Sequence, residues 1–145
     1  MARVQQSGGP GDVIRDIAHA DLVFAASGAM TWTVEAADLE VCRLTSIGRL
    51  NVLYVRILAS SIGGVADVAL LMTLPSNVVA VAAPSGSAPQ CMGHLQFTGT
   101  VNESGGVIGL GGGGRLLVLR RGSSANFAAS VNNQHVSGFC VWNSA

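Results

Sequence analysis

The sequence predicts an all-β fold, a β-sandwich or jelly roll of about eight or nine antiparallel strands behind a short N-terminal arm. Three observations predict it. Apolar residues alternate with a period of two through a series of short runs. Glycine, proline, serine and asparagine punctuate those runs at regular intervals. No stretch sustains a heptad repeat, so the chain carries no coiled-coil shaft of its own. With 145 residues it reads as one domain, long enough to bury a core and too short for two.

Residues 1–20 form the arm in this reading and residues 21–145 the sandwich. The opening MARVQQSGGPG is polar and glycine-rich and reads as a mobile segment. Asp12 to Ala20 could make two helical turns with Val13 and Ile17 on one face. That is too short to stand alone in water, so this patch is expected to dock on a neighbour and anchor the domain there. From Asp21 the period becomes two: Asp21–Ala25 and Ala29–Val34 read as strands around a Ser27-Gly28 turn. Leu39 to Ile47 follows, then Gly48 and the longest strand-like run, Arg49 to Leu58. Ser60 to Gly64 reads as a turn, and Val68 to Leu74 as a strand stopped by Pro75. Ser76 to Gln90 is loop-like, broken by Pro84, Gly86 and Pro89. Met92–Thr98, Gly106–Leu110, Arg115–Arg120 and His135–Trp142 complete the strands, with Asn126–Val131 as an irregular strand or turn.

The run Arg49–Leu58 organises the rest. Asn51, Leu53, Val55 and Ile57 point one way, and Leu50, Val52, Tyr54 and Arg56 the other. A strand with one wet face shows polar residues at alternate positions, whereas this one is largely apolar on both. Its second face is therefore expected to meet another subunit, with Val52 and Tyr54 as the interface residues, in a homo-oligomer expected to be a trimer.

Composition points the same way. Apolar residues make up 49% of the chain and charged ones 11%, against roughly 25% charged in an ordinary soluble domain. The most apolar stretch, Val65 to Ala83, is interrupted by Asp67, Pro75 and Asn77, so no insertion into a membrane is expected. The N-terminus lacks an apolar run behind a basic end and does not read as a secretion signal. Net charge is zero, all the basic residues are arginine, and no basic stripe with interleaved aromatics exists, so no nucleic-acid partner is expected. Cys42, Cys91 and Cys140 are odd in number and widely spaced, which reads as buried thiols in a reducing compartment.

No catalytic chemistry is legible, and neither an enzyme nor a cofactor is expected. Gly109 to Gly114 matches the spacing of a dinucleotide fingerprint, but a strand rather than a helix follows, so it reads as a hairpin tip. His19, His94, His135 and the cysteines lack the close pairing of zinc ligands. Glu35, Asp38, Glu40, Asp67 and Glu103 offer no pair at a spacing that builds a glycosidase site. Asn102-Glu103-Ser104 matches a glycosylation acceptor, which matters only on a secretory route. Trp32 and Trp142 alternate with other apolar residues and read as core; a sugar-stacking role for Trp142 is the lesser reading.

Several pieces occur in a familiar order. Ser27-Gly28-Ala29-Met30-Thr31-Trp32-Thr33-Val34 precedes Leu44-Thr45-Ser46-Ile47-Gly48-Arg49 and the long strand. Leu74-Pro75, Asn126-Phe127-Ala128-Ala129-Ser130 and the closing Val136–Trp142 follow. Together, over about residues 21–145, they resemble the small β-sandwich domains of tailed-bacteriophage virion proteins, found at the tips of tail fibres and related appendages. This chain departs from that pattern in having Cys42 where an aromatic is common, and in the length of the glycine loop at 111–114. The resemblance implies a non-enzymatic virion component, a homotrimer assembled in the host bacterial cytoplasm. It would be anchored to other virion proteins by its arm, with a host-surface receptor or glycan as a further partner. The alternative is a capsid decoration, or cement, protein that stabilises the head; a carbohydrate-binding lectin or glycan-active enzyme is the more distant one.

Overall fold

The computed structural model of the chain describes residues 4–5, 12–78, 92–100, 102–111 and 115–143. Its strands are β1 (Val4–Gln5), β2 (Val13–Asp16), β3 (Val23–Ala26), β4 (Met30–Thr33), β5 (Leu39–Ile47) and β6 (Leu50–Gly64). They continue with β7 (Ala69–Thr73), β8 (Met92–Gly99), β9 (Glu103–Gly111), β10 (Leu116–Arg120) and β11 (Ser130–Asn143). The described residues contain no α-helix, and a single 3₁₀ turn spans His19–Asp21. The fold is an all-β, antiparallel sandwich.

The first sheet is built around β6. On one edge β4 and β5 lie end to end, with Met30–Thr33 opposite Gly64–Ser61 and Leu39–Ile47 opposite Ile57–Leu50. On the other edge β11 runs along β6 from Ile62 to Leu50. Strand β8 adds to β11, and β2 and then β1 add beyond β5. The second sheet is β10, β7 and β3. Strand β9 serves both, pairing through Glu103–Gly106 with β8 and through Val107–Gly111 with β10. It changes sheets at Gly105-Gly106, where Gly105 takes a φ of 89°. At the opposite side β3 passes into β4 through Ser27-Gly28-Ala29. Gly28 sits there at φ 60°, and a Cβ on it would collide with the Asp67 carboxylate.

Between the sheets lies one core. Leu53, Val55 and Ile57 of β6, Leu95 and Phe97 of β8 and Val136 of β11 face Leu70 and Met72 of β7 and Leu117 and Leu119 of β10. Phe127, placed by a hydrogen bond from its N–H to the Asp67 carbonyl, packs edge-on against Phe97 with ring centroids 5.1 Å apart. Fully burying such a side chain stabilises the fold by roughly 1.5–3 kcal/mol each.

All nine expected strands form, and β1 and β2 raise the total among the described residues to eleven. Two expectations fail. The arm segment is a strand, not two helical turns. Positions 13 and 17 share a face at either period, so the apolar pair cannot discriminate helix from strand. The open edge of β5 decides it by pairing Val13–Asp16 with Ser46–Arg43. Ser60–Gly64 is likewise strand rather than turn. Its composition favours a bend, but β4 pairs with Ser61–Gly64 on one side and β11 reaches Ser60 and Ile62 on the other. The bend shrinks to one left-handed residue, Ala59 at φ 58°, with matching register shifts in β11. The loop expected over 76–90 lies outside the described residues from 79 onward, as does Cys91.

Candidate interaction face

Strand β6 carries two chemistries on its two faces. Leu53, Val55 and Ile57 are sealed in the core, whereas Leu50 and Tyr54 on the opposite face stay 41% and 42% exposed. The register extends that outer face across the sheet. Asp16, Arg43, Tyr54, Phe139 and His94 form one row, with Tyr54 directly opposite Phe139. Ile14, Thr45, Val52 and Val141 form the next, and Ile47 with Leu50 a third. Phe139 is 45% and Ile47 56% exposed; Ile14, Val52 and Val141 are half-buried. An apolar, partly aromatic patch four strands wide results.

Its border on the β5 side is charged and balanced. Arg43 grips Asp16 through two hydrogen bonds, Nε to Oδ1 at 2.6 Å and Nη2 to Oδ2 at 3.2 Å. Arg56 pairs with Glu40 at 2.9 Å. The hydrogen bond from Arg43 holds the Asp16 carboxyl below its ordinary value of 3.8, and the same bond raises Arg43. Both pairs are about half exposed, so solvent screens them and they add little to stability.

Of the expected interface residues, Val52 and Tyr54 both lie on this face. Of the expected anchoring residues, Val13 is half-buried on β2, while Ile17 is buried at 3% exposure in the chain's own core. Ile17 is thus committed inside the domain, and its N–H donates to the Cys42 carbonyl. The residues that sequence reasoning passed over are Phe139 and Val141, with Ile14 and Ile47. The signal for the first two was present: in Val136–Trp142 the positions alternating with the core residues Cys140 and Trp142 are themselves apolar.

Where the arm crosses β5, a shallow cavity of about 280 Å³ is lined by Ile17, His19, Leu39 and Cys42 among others. Its reactive-looking groups are occupied. His19 donates from Nε2 to the Val34 carbonyl (2.7 Å) and stacks on Phe24. Burial, with the Asp16 carboxylate adding to it, pushes the Cys42 thiol up to about 12, so it stays protonated near neutral pH.

The other candidate motifs also find structural places. Gly109–Gly111 pairs with Leu116–Val118, so a strand follows the glycines; residues 112–114 lie outside the described set. Trp32 and Trp142 are both buried, and Trp32 donates its indole N–H to Ser60 Oγ. His94 is exposed on the outer face, whereas His135 accepts at Nδ1 from the Ala59 N–H. Asp38 accepts from the Glu35 N–H, Asp67 from the Val68 N–H, and Glu103 is held by Arg121 and Ser123. Among the described residues no three His, Cys, Asp or Glu side chains gather as metal ligands. Comparison with protein-family models, curated proteins and solved structures finds no match for this chain.

Proposed function

We propose that the chain is a non-enzymatic structural protein of a tailed-bacteriophage particle, a small tail-fibre or appendage component with a part in host attachment. The observation that carries the proposal is the outer face of the first sheet. The fold buries the apolar residues on the inner face of β6 and leaves Leu50, Tyr54 and Phe139 on the other side uncovered. A contiguous apolar surface of about 400–500 Å² matches the largest patch on a typical monomer, a patch that is often functional, and it supports reading this face as a place of assembly. The low charge content has the same cause, since surface that is built into a particle needs little solvation. The virion setting comes from the resemblance of residues 21–145 to appendage domains, and the buried thiols Cys42 and Cys140 suit assembly in a reducing cytoplasm. In this proposal the protein joins other virion proteins and copies of itself. Ile17 is left out of the anchoring role, because its side chain already serves the core.

Deleting the gene from its phage tests the role. Particles that assemble normally but adsorb poorly to host cells are the expected result, because many weak attachments are lost together. Heads that burst on heating while adsorption stays normal would replace the appendage role with capsid decoration. Normal adsorption with normal heads would overturn a virion role altogether.

A further inference from the structure

We infer that the outer face of the first sheet is covered by a second copy of the same chain, packed sheet on sheet with Tyr54 and Phe139 at the centre of the contact. This rests on reading the face as an assembly surface, and it names the occupant. Area, charge and hydrogen-bonding capacity each favour that occupant.

The exposed parts of Ile47, Leu50, Tyr54 and Phe139, with the half-buried valines between them, amount to on the order of 400–500 Å² of contiguous apolar surface. A stable interface buries about 800 Å² per partner, somewhat more than half of it apolar. The patch therefore supplies the apolar centre of one standard interface, and the charged border beside it supplies a rim. The aromatic pair occupies the middle strands β6 and β11, where residues that dominate binding energy concentrate.

Charge selects the partner. Asp16–Arg43 and Glu40–Arg56 put equal numbers of each sign on the border. A surface of balanced sign meets its own rotated copy without net repulsion, as a self-complementary contact requires. Nucleic acid or a strongly charged protein would call for a border of one sign. Hydrogen bonding argues in the same direction. The border carboxylates and guanidiniums already bind one another, so they are poorly placed to read the hydroxyls of a sugar stacked on Tyr54. Two twisted sheet faces, by contrast, pack about 10 Å apart through side-chain contact alone.

Light scattering on the purified full chain between about 1 and 100 µM covers the range of micromolar association. The expected result is an oligomer for the wild type, and dissociation to monomers in Tyr54→Glu and in Phe139→Glu, each weakened at least ~100-fold by burying an unpaired charge. Far-ultraviolet circular dichroism should stay unchanged, while the melting temperature falls to a monomer value that no longer rises with protein concentration. Val65→Glu, at an apolar residue 69% exposed and off this face, should remain oligomeric. If a glutamate variant fails to fold, Tyr54→Ser is read in the same way. A wild-type monomer at 100 µM would overturn the inference, and so would an oligomer that survives all the face substitutions. A wild-type monomer whose retention on a polysaccharide column is lost in Tyr54→Ser would overturn it in favour of a sugar platform. An oligomer that dissociates as expected, in a protein whose deletion leaves the phage unaffected, would separate the two claims: the contact would stand and the virion role would fall.

Discussion

Ser60 is fully buried, and its hydroxyl is used twice. It accepts the Trp32 indole N–H at 3.0 Å and donates to the Gln134 carbonyl at 2.7 Å, linking β4, β6 and β11 through one oxygen. The hydroxyl lies one residue beyond left-handed Ala59, the bulge that lets β6 continue past its expected end. Removing it would strand a buried donor and a buried acceptor, each worth about 1–3 kcal/mol. Ser60→Ala should therefore lose on the order of 2–3 kcal/mol in urea unfolding. Ser61→Ala, next in the chain but bonded to exposed Asn132, should lose under ~1 kcal/mol. Equal losses would show that the relay does not hold the three strands together. Nothing in the sequence marks Ser60 over Ser61; only the pairing of β6 with both neighbours does.

At the scale of elements, the connection between β10 and β11 is an irregular stretch held by one carboxylate. Glu103, at the start of β9, accepts from the Ser123 N–H and hydroxyl and from Arg121 Nε. Arg121 in turn donates to the Asn126 carbonyl, and Asn126 to the Ala66 carbonyl, which sets Phe127 over Phe97. The Ser123 N–H above all, then its hydroxyl and Arg121, hold the Glu103 carboxyl below its ordinary value of 4.5. A depressed native value means a stabilising contribution that is complete above the ordinary value and lost as pH falls through the native one. The wild-type melting temperature should thus drop more between pH 6 and pH 3 than that of Glu103→Gln, with the two curves converging in acid. Parallel curves would rule the latch out.

Across the whole molecule, the arm is the part whose place the structure changes. Strand β2 extends the first sheet by pairing with β5, Arg15 reaches Asn77 Oδ1, and Ile17 closes a corner of the core. Strand β2 also contributes Ile14 and Asp16 to the outer face, so sandwich and assembly surface share it. Removing residues 1–11 should leave melting within a degree or two of the full chain, since the β2 pairing is kept. Removing residues 1–18 should cost about 2–5 kcal/mol, the range for deleting a buried isoleucine side chain, and should expose the β5 edge to aggregation. A shorter chain that melts like the full one would place the arm outside the domain.

Period-two alternation and glycine or proline punctuation determined the class of fold and most strand positions. Strand backbones alternate faces by covalent geometry, so Leu53, Val55 and Ile57 could be grouped apart from Val52 and Tyr54 before any partner was known. The same pattern marked the second face of Arg49–Leu58 as unusually apolar. Tertiary structure decided which strands pair, because register and neighbour order depend on hydrogen bonds between residues far apart in the chain. It made Ser60–Gly64 a strand by surrounding it with β4 and β11, and it gave the arm to the edge of β5. It also brought Phe139 opposite Tyr54, a juxtaposition of residues 85 positions apart that no local pattern encodes. An exposed surface is assembled from several strands at once, and each strand alone records only its own half of the contact.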